Sequence, residues 1–132
     1  MTTSLPDPDP SLPVILVVED HEQVRASLLA WLSVIFPQFR FIEAASGEQA
    51  LELVTSYLPR LVLMDIGLPG MSGLEAARTI LHHYPTIKVV MLSIHDEASY
   101  RDDARQLGAS GFVAKAQMRT SLIPALLQAL EP

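Results

Sequence analysis

The chain contains no cysteine. That excludes a disulfide framework and any thiolate-ligated metal or iron–sulfur centre, and it suits a reducing compartment. Basic residues are scarce as well: nine Lys and Arg stand against fifteen Asp and Glu, for a net charge of −6. They are scattered along the chain, without the clustered positive surface that a phosphate backbone requires, so DNA contact by this domain is not expected. No apolar stretch approaches the ~20 residues of a bilayer span. The first thirteen residues lack the basic start and apolar run of a secretory signal. These absences read as a soluble, cytoplasmic protein with no membrane partner. What remains is apolar enough to fold: 49% hydrophobic and 18% charged, within the range of compact domains. At 132 residues one core burying roughly two-thirds of the unfolded surface is expected.

Prolines gather at the start, in Leu5-Pro-Asp-Pro-Asp-Pro-Ser-Leu-Pro13. Proline gives no N–H to a ladder or helix, so residues 1–12 read as a mobile leader and 13–131 as the folded domain. From Val14 onward, short apolar runs of strand type alternate with stretches of helical spacing. The strands fall at Val14–Val18, Phe39–Ala44, Leu61–Met64, Ile87–Leu92 and Gly111–Ala114. The first helix, His21–Phe36, places Val24, Leu28, Trp31, Leu32 and Ile35 on one face and stops before Pro37. Ser46 caps a second helix that ends before Pro59; Ser72 and Gly73 precede a third, Leu74–Tyr84. A fourth spans Asp96–Leu107 and ends at Gly108. The last runs from about Ser121 to Leu130, which puts Pro124 in its first turn.

Five βα units with continuous apolar strands predict an α/β fold in three layers, a five-stranded parallel sheet covered on both faces. Right-handed crossovers favour the flavodoxin-like order 2-1-3-4-5, whose chemistry collects at the carboxyl ends of the strands. Those ends carry the polar residues. The first strand ends in Glu19-Asp20 and the neighbouring third strand in Asp65. At ~4–5 Å and an effective dielectric near 20, each like-charge pair costs about 3–4 kcal/mol unless a cation intervenes. Mg²⁺, a hard cation that takes oxygen ligands, is the natural compensator. Taken alone, Glu19-Asp20 would read as caps of the helix that follows. The third acid on the adjacent strand turns the reading toward a metal site. It also implies that at least one of the three carboxyls has a raised pKa, and that Asp65→Asn stabilises the metal-free protein. The fourth strand ends in Ser93, a hydroxyl donor, and Lys115 follows the fifth, an ammonium suited to phosphate.

With these pieces in place, the chain resembles a receiver domain of two-component response regulators over Leu12 to Leu130. The resemblance rests on Val-Val-Glu19-Asp20-His21, Leu-Met-Asp65-Ile-Gly-Leu-Pro69-Gly-Met-Ser-Gly73, Val-Met-Leu-Ser93 and Gly111-Phe-Val-Ala-Lys115. Asp-x-x-x-Pro-Gly-x-x-Gly is the most specific of them. The resemblance implies Asp65 as phosphoacceptor, and Glu19, Asp20, Asp65 and the carbonyl of Gly67 as Mg²⁺ ligands. It implies Ser93 and Lys115 as phosphoryl contacts and Phe112 as a switching aromatic, usually Tyr in the family. It implies a histidine kinase as partner, phosphorylation-dependent homodimerisation, and self-assisted phosphorylation and dephosphorylation rather than an enzyme's turnover. Wording such as Leu-Pro-Gly-Met-Ser-Gly-Leu-Glu is similar to the LuxR/NarL regulators, in which DNA is bound by a helix-turn-helix output domain; none is present in this chain. Two residues depart from the pattern. Glu19 stands where the family often has Asp, so it reaches a metal through water as readily as directly. Ala116 replaces a proline that is often cis, and a trans bond with a differently shaped loop is expected. His95, two residues past Ser93, would govern access of water to an aspartyl phosphate.

Rival readings with the same topology fare worse. A flavodoxin-type electron carrier needs a Gly/Ser/Thr-rich phosphate loop after the first strand, where Glu19-Asp20-His21 would repel the phosphate. An aspartate-nucleophile phosphatase presents Asp-x-Asp, whereas Ile66-Gly67 follows Asp65. A stand-alone receiver, or a pseudo-receiver used for binding alone, is the remaining alternative; the latter would have lost the acceptor or the lysine.

Overall fold

The computed structural model describes residues 10–94 and 98–132. Residues 1–9 of the expected leader lie outside the described residues, as do His95, Asp96 and Glu97, which hold the expected start of the fourth helix. The elements are β1 (Val14–Val18), α1 (Glu22–Ile35), β2 (Arg40–Ala44), α2 (Gly47–Tyr57), β3 (Leu61–Asp65), α3 (Gly73–His83), β4 (Lys88–Ser93), α4 (Ala98–Gln106), β5 (Gly111–Ala114) and α5 (Met118–Leu130). A 3₁₀ turn, Lys115–Gln117, leads into α5. All strand pairs are parallel, in the order β2-β1-β3-β4-β5. This is the flavodoxin-like sheet that the alternation of textures predicts.

Strand period sets the layers. Successive side chains point to opposite faces, so Ile15 and Val17 of β1 pack with Leu28, Leu32 and Leu126, while Leu16 and Val18 pack with Ala50, Val54 and Ile80. Helices α1 and α5 therefore cover one face, and α2, α3 and α4 the other. The helix starts are chemical: Ser46 Oγ accepts from the Gln49 N–H at 3.1 Å and Ser72 Oγ from the Glu75 N–H at 3.2 Å. Gly108, at φ +95°, follows α4 in the left-handed conformation expected of it.

Two expectations need correction. Helix α5 starts at Met118, not near Ser121, and Pro124 lies inside it. The turn Lys115–Gln117 feeds the helix directly, and Met118 joins the cluster around Leu122 and Leu126. That packing outweighs the ~3 kcal/mol typical of an interior proline. In α1, Leu28 and Leu32 are buried, but Val24 and Ile35 are 38% and 44% exposed. The buried stripe is narrower than the apolar spacing suggested, because only the line facing β1 and α5 is covered. The bond between Lys115 and Ala116 is trans, as the missing proline implied.

The glycine that ends the Asp-x-x-x-Pro-Gly-x-x-Gly segment has a steric reason. A Cβ on Gly73 would run into the Asp65 carbonyl oxygen and the Ile66 Cα. Gly73 N–H meanwhile donates to the Ile66 carbonyl at 3.0 Å. The start of α3 thus presses against the backbone of Asp65. Gly73→Ala is expected to lower stability by about 2–3 kcal/mol, the scale of an overpacked core. Gly67→Ala, whose Cβ would find its nearest neighbour at 3.8 Å, should cost far less. Urea midpoints at unchanged m-value test the pair.

Candidate functional site

The register brings the polar residues to one edge of the sheet. Val18 pairs with Met64, so Glu19 and Asp65 follow side by side; Asp65 pairs with Leu92, and Ser93 with Ala114, so Ser93 and Lys115 extend the line. Two of the carboxylates meet the lysine directly. Lys115 Nζ donates to Glu19 Oε1 and Oε2, each at 3.2 Å, and to Asp65 Oδ2 at 3.1 Å. Glu19 is fully buried and the Asp65 side chain is 5% exposed. The other oxygen of Asp65, Oδ1, accepts from the Gly67 N–H at 3.1 Å.

The caps-only reading of the acidic pair fails. The N-cap of α1 is His21, whose side chain makes no capping bond. Its Nδ1 lies 3.2 Å from Glu19 Oε1. It is also 3.4 Å from Asp20 Oδ1, but that contact is not a hydrogen bond: Asp20 Oδ1 is buried without a partner among the described residues. Donor atoms of Glu19, Asp20 and His21 all lie within 4.8 Å of one another. Three carboxylates against one ammonium, with an orphaned buried oxygen, form a site lacking positive charge. A divalent cation fits that deficit, and the carboxylate oxygens of the set suit a hard one.

Burial and proximity split the acids. Burial is the main influence on Glu19; with a hydrogen bond and charge repulsion from Asp65 it outweighs the lysine and raises the pKa from 4.5 to about 7. Burial also disfavours ionised Asp65, but the hydrogen bond with Glu19, the Lys115 charge and the Gly67 N–H prevail and hold it below its ordinary value. For Lys115, burial is likewise overcome, by Asp65 and then Glu19, and the pKa is raised. A raised carboxyl was expected, but it is Glu19. The stabilising loss of charge is therefore expected there and not at Asp65, which the surrounding donors favour as an anion.

Ser93 is buried at the end of β4, one residue beyond the partner of Asp65. Gly67 reaches Asp65 through its N–H. Phe112 stands apart from this group, paired with Met91 within the sheet, partly buried, with the Arg101 guanidinium 4.7 Å from its ring centroid. His95 lies outside the described residues. Sequence reasoning gave no role to His21 or to Arg25, whose Nη1 donates to the Glu19 carbonyl at 2.8 Å. A basic residue one turn into the helix after an acidic pair was the available signal.

Comparison with known proteins matches residues 15–127 to the response regulator receiver domain family. The transcriptional regulatory protein DegU of Brevibacillus brevis is 38% identical over 113 residues, covering 85% of this chain and 48% of DegU. A LuxR-family two-component response regulator from Aurantimonas sp. SI85-9A1 superposes with a TM-score of 0.82 at 30% identity, covering 89% of this chain and 84% of that one. Response regulator TrrA from Thermotoga maritima, solved in complex with Mg²⁺-BeF, gives 0.79 at 30% identity, covering 90% and 100%. The chain spans about half the length of the curated relatives it matches.

The electrostatics have a pH signature. Glu19 holds a proton in the fold that the unfolded chain releases near 4.5, so its contribution is fully present below 4.5 and is lost as pH rises through about 7. The Asp65 contribution is lost only on acidification and the Lys115 contribution only above its ordinary 10.5. Of these three groups, only Glu19 changes its contribution between 4.5 and 7. Unfolding free energy without divalent metal should fall by on the order of 3 kcal/mol across that window, at 1.36 kcal/mol per unit. Glu19→Gln should remove the decline, and a slope that survives the substitution would contradict the assignment.

Proposed function

The chain belongs to the receiver domains of two-component response regulators, of the LuxR/NarL type, and from that premise we propose that Asp65 accepts a phosphoryl group from a histidine kinase. The observation that carries the proposal is the contact of Asp65 with Lys115: a buried carboxylate, kept ionised below its ordinary pKa, with an ammonium 3.1 Å from one oxygen. A nucleophile needs the anion, and the phosphoryl group needs a cation beside it. In the proposed transfer an Asp65 oxygen forms the bond to phosphorus as the bond from phosphorus to the kinase imidazole breaks, in line. Lys115 exchanges its carboxylate contacts for a phosphoryl oxygen, and the Ser93 hydroxyl donates to another. Glu19, Asp20, Asp65 and the Gly67 carbonyl are the residues that would hold Mg²⁺. Once bound, that ion supplies charge neutralisation and orientation of the phosphoryl oxygens. The same groups, with water in place of the imidazole, would assist dephosphorylation; the domain is an acceptor that helps its own reaction.

The readout we assign to Phe112. As Ser93 turns toward the phosphoryl group, space behind it admits the ring, which leaves Arg101 and reshapes the surface of α4, β5 and α5. That surface would serve phosphorylation-dependent homodimerisation. Residues 13–131 form the receiver in this reading and 1–12 a leader. DNA would be met only through a helix-turn-helix output domain outside this sequence, in the cytoplasm, where its kinase partner presents phosphohistidine. None of the helices is long and apolar enough to cross a membrane among the described residues. A pseudo-receiver is the weaker alternative, since acceptor and lysine are both present and in contact.

Incubation with acetyl phosphate and Mg²⁺ should raise the intact mass by one phosphoryl group, and Asp65→Asn should abolish the gain. Equal labelling of the variant would place the acceptor elsewhere. An unlabelled parent would favour the pseudo-receiver.

A further inference from the structure

Glu19 and Asp20 stand on the turn between β1 and α1, and something must fix that turn. The Glu19 N–H donates to the Ala44 carbonyl of β2 at 3.1 Å. Its carbonyl accepts from Arg25 Nη1 at 2.8 Å, while Arg25 Nε donates to Glu43 Oε1 of β2, also at 2.8 Å. Arg25 belongs to the first turn of α1, whose opening bond runs from its own N–H to the His21 carbonyl at 2.9 Å. One planar guanidinium thus joins three pieces of chain: the helix that carries it, the acidic turn and the edge strand. Both backbone groups of Glu19 are tied, directly or through Arg25, to adjacent residues of β2.

We propose that Arg25, anchored by Glu43, is a positioning residue that fixes the Glu19–Asp20 turn in the geometry the site requires for a divalent cation. The proposal rests on the reading of Glu19 and Asp20 as ligands, and adds to it the residues that hold them. The burial pattern supports it. The Arg25 side chain is only 13% exposed and Glu19 is fully buried, whereas Glu43 is 54% exposed. An exposed ion pair contributes little by itself. Here the pair orients a guanidinium whose second donor satisfies a buried carbonyl, and leaving that carbonyl unpaired is the larger cost. The fork of Arg holds two acceptors at a fixed angle, which an ammonium on a flexible stem does not do. Asp20 Oδ1 has no hydrogen-bond partner among the described residues, so its placement depends on the backbone beneath it. The turn is where positioning is needed.

The charge of Arg25 gives the test a sign. It is a cation near a cation site, so electrostatics alone predicts tighter Mg²⁺ binding when it is removed, and positioning predicts weaker binding. Amide chemical-shift titration of the metal-stripped protein with MgCl₂ reads the dissociation constant directly, beside a thermal melt of each variant. Arg25→Met should weaken Mg²⁺ binding about tenfold or more, the range seen when outer-shell partners of metal ligands are lost. Arg25→Lys should also weaken it, and serves if Arg25→Met does not fold. Glu43→Ala and Glu43→Gln remove the same charge, but Gln keeps an oxygen for Arg25 Nε. Glu43→Ala should therefore weaken binding several-fold and Glu43→Gln stay within about twofold of the parent. Unchanged or tighter Mg²⁺ binding in the Arg25 variants, or equal values for the two Glu43 variants, overturns the proposal even if the melts fall. A parent that takes up no Mg²⁺ overturns the ligand reading and this inference with it.

Discussion

Burying Glu19 and Asp65 beside one another, with Lys115 as their shared partner, is the constraint on which the rest of the molecule depends. Two carboxylates in a nearly water-free edge would repel strongly, and one ammonium bonded to both makes the arrangement tolerable. The fold is arranged to supply that contact. Strand β4 lies between β3 and β5, so Lys115 reaches Asp65 past the end of β4, where the small Ser93 stands. Gly73 lets α3 close against the Asp65 backbone, and Arg25 ties the acidic turn to β2. Even so, the compensation is partial. Asp20 Oδ1 remains without a partner among the described residues, and Glu19 keeps a proton toward neutral pH. The site is less stable in charge terms than an apolar edge would be, and that deficit is one that a bound cation would relieve.

Much of this was legible in the residues because it is local or periodic. Continuous Val/Ile/Leu runs such as Val14–Val18 give buried parallel strands, and Ser46 and Ser72 mark helix starts by their own chemistry. Once the strand order is known, the ends of β1, β3, β4 and β5 fall side by side. What stayed hidden depends on pairing across the fold. The bond between Arg25 and Glu43 joins residues eighteen apart, and nothing in either segment announces the other. Burial disfavours both anions, and which acid keeps the proton depended on the hydrogen bonds and charges around each, not on residue type. The start of α5 was misread because Pro124 has a strong local preference for a first turn, and the packing of Met118, Leu122 and Leu126 overrides it. The stripe on α1 was read too wide because spacing shows which residues share a face but not how far the opposite layer extends.

Stability and the charge state of Asp65 are set by the same three side chains. The Asp65 anion is favoured by its hydrogen bond with Glu19, by Lys115 and by the Gly67 N–H, and a carboxylate acting as a nucleophile would need those donors held in place. Glu19 has the opposite character, a carboxyl that burial keeps protonated until positive charge arrives. In this account a divalent cation and the Glu19 proton compete for one place. The most direct test is a carbon-detected NMR titration of the Glu19 and Asp65 carboxyl carbons, without metal and in millimolar Mg²⁺. Glu19 should titrate near 7 without metal while Asp65 titrates below its ordinary value, and Mg²⁺ should move the Glu19 midpoint down toward the ordinary range. A Glu19 carboxyl that titrates at its ordinary value and does not respond to Mg²⁺ would contradict it.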